Sequence, residues 1–189
     1  MKNNPNQSDF NRFLLLTCIW LVICQGRVAA EPVPKPVQST KDLRSMILST
    51  DPRTVGIRPT AENPNVWGIL METGYPKALV TLVSLVDGTT SLYWGSGGGI
   101  IGGGGHESVR NASKKFINLA EQNYSKLTPT RAFPFPDIGR VKFYILTYGG
   151  IFTADLDENE LGLGKHEFSE LFYAGHEVIG ELRQLQERK

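Results

Sequence analysis

The sequence predicts an α+β domain, with a mostly antiparallel five-stranded sheet packed by two long amphipathic helices and a short helix ahead of them. Three observations carry that prediction. Asp87-Gly88 separates two β-rich runs and is a type I′ hairpin signal. Gly149-Gly150 plays the same part between Val141–Tyr148 and Ile151–Asp155. Two longer segments, 109–127 and 168–186, repeat apolar residues at three- and four-residue spacing. Strands linked by tight hairpins, with helices only between the groups, build an antiparallel sheet rather than parallel βαβ units.

The first 30 residues are read apart from that domain. Lys2 and Arg12 flank a polar start, and Phe13–Cys24 (FLLLTCIWLVIC) follows as an apolar run. Val28-Ala29-Ala30 then supplies the small residues that a signal peptidase reads. The pattern is a secretory signal peptide over residues 1–30, cleaved after Ala30, and it places the protein outside the cell or in the periplasm. The alternative is a membrane anchor formed by residues 13–24, a run short of the ~20 residues of a spanning helix. Both cysteines, Cys18 and Cys24, fall inside this segment, so the mature chain forms no disulfide. Cleavage leaves 17 basic against 18 acidic residues. A near-neutral chain has no cationic surplus for phosphates, which argues against a nucleic-acid partner. Contact with a membrane is expected only through the N-terminal segment, if it is retained.

Residues 31–39 read as a proline-rich linker, beginning Glu31–Pro36 (EPVPKP). The single domain is expected over 40–189. Ser39 or Thr40 caps a short helix to Ser49, with Leu43, Met46 and Ile47 on one side. Asp51-Pro52 and Arg58-Pro59 break the next segment into loop. Val66–Glu72 is the first strand, turned by Gly74-Tyr75-Pro76. Ala78–Val86 is the second, and its near-continuous apolar character marks a central strand covered on one face and partly on the other. Thr90–Trp94 is the third. Val109, Ala112, Phe116, Leu119, Ala120 and Leu127 then form a helical stripe. Thr128–Arg140 holds three prolines and reads as a long crossing loop. Val141, Phe143 and Ile145 alternate along the fourth strand, and Ile151–Asp155 is the fifth. Asp155–Gly164 reads as an acidic loop. The last helix carries Phe168, Leu171, Phe172, Val178, Ile179, Leu182 and Leu185 inward, with Gly175 placed for close approach to the sheet.

Between the third strand and the first long helix lies Ser96–Glu107, with seven glycines in twelve residues. Gly97, Gly99 and Gly102 fit G-x-G-x-x-G, yet the strand before them closes a hairpin and no parallel βαβ unit with an acidic ribose ligand follows. No Gly-Lys-Ser/Thr is present, so a P-loop is excluded. Two readings remain for the loop: tight backbone packing, or an anion site of free amides at a helix start. The residues of that candidate site are Ser96, Gly97, Gly98, Gly102, Gly103, His106, Glu107 and Arg110.

Each histidine precedes a glutamate: His106-Glu107, His166-Glu167 and His176-Glu177. None forms H-E-x-x-H, so no helix face presents two imidazoles in the zinc-protease manner; a metal site is the lesser alternative and requires His106 to come across to His166 and His176, and no cofactor is expected. Asp155-Leu156-Asp157-Glu158-Asn159 begins like a calcium loop but has Glu160 where glycine makes the turn and His166 where a bidentate glutamate closes the site. The mature chain has no cysteine and no G-x-S-x-G elbow. Phe133 and Phe135, set among prolines, are candidates for a partner-facing apolar surface.

The runs Val66–Pro76, Asp87–Tyr93, the glycine loop with His106, and Leu171–Ile179 together resemble an uncharacterised bacterial protein family over residues 41–186. The resemblance implies no activity. The element order is also similar to profilin-like and roadblock-like sheets, which serve as scaffolds for binding. The sequence therefore points to a non-catalytic binding or protein-interaction module exported from a bacterial cell, with a protein partner or a second copy of itself. The alternative is a small-anion-binding or hydrolytic site at loop 96–106.

Overall fold

The computed structural model describes residues 36 and 38–187. The signal peptide and nearly all of the linker read from the sequence lie outside the described residues. Four helices and seven strands follow in the order α1 (Gln38–Ser49), β1 (Val66–Tyr75), β2 (Ala78–Leu85), β3 (Thr90–Trp94), β4 (Gly99–Ile100), α2 (Glu107–Asn123), β5 (Thr128–Thr130), β6 (Arg140–Thr147), β7 (Gly150–Asp157), α3 (Glu158–Gly162) and α4 (Ser169–Glu187). Helix α1 begins inside the segment expected to be linker.

One antiparallel sheet runs in the order β4-β3-β2-β1-β6-β7-β5. The two hairpin groups expected from the sequence meet along β1 and β6, with Ile69 opposite Ile145 and Met71 opposite Phe143. The architecture is α+β as expected, but the sheet has seven strands rather than five. The two extra strands are short edges. Strand β4 arises within the glycine loop and pairs Ile100 with Leu92. Strand β5 arises in the proline-rich crossing and pairs Pro129 with Phe152. Glycine and proline are poor strand formers, and an edge position needs a ladder on one side only. Neighbouring strands supplied what local propensity did not.

A third departure lies in Asp155–Gly164, expected as an acidic loop. Strand β7 continues to Asp157, whose side chain accepts the Glu160 N–H and caps the short helix α3. Asp155 pairs instead with Arg140 and Lys142 of the neighbouring strand, at 2.9 and 2.8 Å. Burial pushes the Asp155 carboxyl up, but hydrogen bonds from Lys142 and Arg140 outweigh it and hold the group below its usual range.

The sheet is covered on both faces, so β1 is buried along nearly its whole length, Glu72 and Thr73 included. On one face α2 and α4 lay Val109, Phe116, Ala120, Leu171, Val178 and Leu182 against Ile69, Met71, Phe143 and Ile145. A Cβ on Gly175 would press against Met71 Sδ at 2.7 Å, so the glycine sets how closely α4 approaches β1. Helix α2 is also tied at its far end, where Glu121 accepts hydrogen bonds from the Asn65 and Val66 amides as β1 begins. On the other face α1 packs Ile47 and Leu48, and Ile57 from the next loop, over Trp67, Leu70, Val83, Tyr144 and Leu146. A single turn at Pro52–Val55 leads out of α1, with Asp51 accepting the Arg53 N–H.

Candidate functional site

The glycine loop folds back on β3. The Trp94 N–H donates to Gly98 O at 3.2 Å and the Gly97 N–H to Trp94 O at 2.9 Å. Gly97 and Gly98 take positive φ of 100° and 82° to close this turn, and Gly102 takes 75° at the next. Beyond it the backbone passes under α4, where a Cβ on Gly103 would overlap Leu182 and one on Gly104 would overlap the Gly88 carbonyl. Arg110 lies one turn into α2 and donates to Gly104 O and Gly105 O at 2.9 and 2.8 Å. The Gly105 and His106 amides are bonded to the carbonyls of Gly102 and Gly103. At this end the loop therefore offers carbonyls to an arginine, and its glycines are explained by close packing. His106 stands at the start of α2 without a side-chain capping bond, and Ser96, His106 and Glu107 are exposed.

Arg110 also borders a cleft of about 600 Å³ between the Thr60–Asn63 loop, the β2–β3 turn and α2. Its other cation, Lys114, pairs with Glu62 at 2.8 Å. Asp87, on the same wall, accepts the Thr89 N–H at 2.8 Å. The charges there already have protein partners.

Phe133 and Phe135 are half-buried. Phe133 meets Tyr144 edge-on with ring centres 5.7 Å apart. Phe135 carries the Arg44 guanidinium 4.3 Å above its ring. Both rings turn toward the α1 face, and Tyr144 donates its hydroxyl to Pro134 O at 2.6 Å, which pins the crossing loop to β6.

That arginine belongs to a feature the sequence reading missed. Arg44 on α1 makes a two-pronged ion pair with Glu72 of β1, Nε to Oε1 at 2.7 Å and Nη2 to Oε2 at 2.8 Å. Glu72 is 0% and Arg44 5% exposed. Thr81 of β2 donates to the same carboxylate at 2.9 Å. Burial alone lowers the Arg44 pKa, but the Glu72 hydrogen bond and charge leave it above its ordinary value. With both carboxylate oxygens occupied and the guanidinium roofed by Phe135, the pair is a lock between α1 and the sheet.

The histidines separate. His166 precedes α4 and accepts the Phe168 N–H on Nδ1 at 3.2 Å, closing the turn into that helix. His176 sits midway along α4 with its ring 4.3 Å from Phe172. Among the described residues no three His, Cys, Asp or Glu side chains lie where they could hold a metal ion.

His176 opens a different site. Its ring, with Ile179 and Arg183 further along the helix, forms one wall of a cleft of about 540 Å³ at the end of the sheet. The floor is built from same-face strand residues, Thr73 and Tyr75 of β1, Val80 of β2, and Leu92 and Trp94 of β3. His176 Nε2 is shielded from solvent and has no hydrogen-bond partner among the described residues. Burial lowers its pKa below 6.5, so the imidazole is neutral at pH 7. Tyr75 is pushed up to about 12, by burial first and then by the Glu158 charge, and keeps its hydroxyl proton. Among the described residues two other buried polar side-chain atoms lack partners, Ser84 Oγ and Tyr148 Oη. Ser84 is enclosed in the sheet, and Tyr148 borders a hollow of only about 200 Å³.

The sequence did carry a signal for this cleft. His176 and Arg183 are seven apart, which returns them to one stripe of a helix, and Thr73/Tyr75 and Leu92/Trp94 are i, i+2 pairs on one sheet face. What the sequence lacked was the alignment of those stripes. Comparison with protein families, with curated proteins and with solved structures finds no match to this chain.

Proposed function

We propose that this chain is a non-catalytic binding module of an exported bacterial protein, and that its ligand occupies the cleft between α4 and the ends of β1, β2 and β3. One observation carries the reading: a buried, unpartnered His176 Nε2 beside a cleft of about 540 Å³ walled by Trp94, Tyr75, Leu92 and Ile179. Small-molecule sites are concave, largely apolar and fitted with a few convergent polar groups, in a size range of ~300–1,000 Å³. The signal pattern in residues 1–30 supports export, and fractionation of a bacterial culture expressing the full chain tests it: retention in the cytoplasm refutes that part.

The ligand reading is tested by a thermal-shift screen of small organic compounds of all charge types against the full chain. Saturable stabilisation that disappears in Trp94→Ala and weakens in His176→Gln supports it. A screen without shifts, or shifts that survive Trp94→Ala, refutes it.

A further inference from the structure

The chemistry of the cleft narrows the ligand, and this step rests on the cleft being the binding site. We infer that the cleft takes a small aromatic monoanion, with its ring against Trp94 and its carboxylate at Arg183.

The apolar part follows from the floor. Val80, Leu92 and Ile179 present branched aliphatic surface, and Trp94 and Tyr75 bring two aromatic rings to the same hollow. Aromatic side chains bind rings well, gaining ~0.5–1.5 kcal/mol beyond area burial in favourable stacked or edge-on geometry.

The charge follows from an inventory of donors. Arg183 is the only cation among the described lining residues, and it makes no hydrogen bond or ion pair among the described residues. Thr73 and Gln186 line the same cleft and carry donor groups, whereas the Tyr75 hydroxyl is engaged by Glu158. A carboxylate accepts several such bonds at once, and its bond to a guanidinium is charge-assisted. The neutral imidazole of His176 does not repel a cation, so the sign of the ligand is decided by Arg183 against the carboxylates nearby.

Those carboxylates set the upper limit. Glu187 borders the cleft one helical turn beyond Arg183, and the Glu158 charge acts on Tyr75. Arg183 can bond one carboxylate in a two-pronged way, whereas a second negative charge finds no further cation among the described lining residues and adds to the repulsion from Glu187. The cleft therefore favours a monocarboxylate over a phosphate monoester, which is largely dianionic at pH 7.

Isothermal titration of the full chain tests this with four probes of one shape: benzoate, benzamide, benzylamine and phenyl phosphate. Benzoate is expected to bind at least tenfold more tightly than each of the other three. Arg183→Gln, at an exposed helix position, is expected to weaken benzoate at least tenfold and leave benzamide unchanged. Arg183→Glu is expected to shift the preference to benzylamine. Equal affinity for benzamide and benzoate, or benzoate binding indifferent to Arg183→Gln, overturns the anion assignment while Trp94→Ala still reports on the cleft. Tighter binding of phenyl phosphate overturns the monoanion limit. Failure of all four probes, with circular dichroism showing folded protein, overturns this inference. If compounds of other shapes still shift the protein through Trp94, the binding reading stands without it.

Discussion

Replacing Arg44 by methionine isolates the energetics of the α1 lock. The substitution keeps a long apolar stem but strips two hydrogen bonds from Glu72, which is 0% exposed and keeps only the bond from Thr81. Removing one partner of a buried ion pair costs about 3–5 kcal/mol, because the other charge stays out of water uncompensated. Loss of the cation from the face of Phe135, 4.3 Å away, adds on the order of 1 kcal/mol. A total of about 4–6 kcal/mol is a large share of the ~5–15 kcal/mol that holds a domain together. At ~2–4 °C per kcal/mol for a chain of this length, the midpoint should fall by roughly 8–24 °C.

The double variant Arg44→Met/Glu72→Leu removes both charges at once. It should recover most of the loss and lie within about 1–2 kcal/mol of the parent, with the Thr81 hydroxyl left without its acceptor. Urea denaturation of the parent, both single variants and the double gives the coupling energy from one cycle. A coupling above ~2 kcal/mol is expected. Single variants that each cost less than ~1 kcal/mol, or a double variant as unstable as the sum of the singles, would refute the lock.

Three further outcomes are expected. Gly104→Ala should cost about 1–3 kcal/mol in urea denaturation, because its methyl meets the Gly88 carbonyl, whereas Gly105→Ala, which meets open space, should stay within about 0.5 kcal/mol; equal effects would remove the packing account of the loop. His176 is held neutral by burial, so stability is full above about pH 6.5 and falls as acid protonates the unfolded chain first, until the folded imidazole also titrates. Between pH 7 and 5 the parent should therefore lose more stability than His176→Gln, and matching slopes would contradict the burial. Phe135→Ala should lower the denaturation midpoint measurably through its contact with Arg44 and have no effect in an Arg44→Met background; an unchanged midpoint in the parent would show that the ring contributes only surface.

Local chemistry made much of the fold legible. The hairpin at Asp87-Gly88, closed by the Gly88 N–H on Leu85 O rather than by the expected type I′ turn, the apolar stripes of α2 and α4, and the close approach at Gly175 all act within a few residues, where spacing and steric size decide. The extra strands escaped because Gly99–Ile100 and Thr128–Thr130 are two and three residues long and carry a glycine and a proline, too little for a strand pattern. Glu72 escaped for the same kind of reason. At the end of Val66–Glu72 it looks like the residue that brings a strand to solvent, and only the approach of Arg44, 28 positions earlier, makes its burial tolerable. Phe133 and Phe135 read as exposed because prolines surround them, while their packing depends on Tyr144 and Arg44 in other elements.

The glycine loop joins these two levels. Its sequence is open to tight packing or to an anion site, and in the fold Gly104 and Gly105 give their carbonyls to Arg110 while Gly103 makes room for Leu182. The same loop contributes β4, which pairs with Leu92, and Gly98 O holds the Trp94 amide. Leu92 and Trp94 are the floor of the α4 cleft, and Leu182 lies on the helix that forms its wall. From the opposite face Thr40 of α1 donates to Trp94 O at 3.2 Å. The glycines are thus indirect to any ligand: small residues let the loop pass between α4 and the β2–β3 turn, and that passage fixes the spacing of helix and strand on which the cleft depends. Enlarging Gly103 should therefore disturb a ligand that the loop never touches, by displacing Leu182 and with it the wall that carries Arg183.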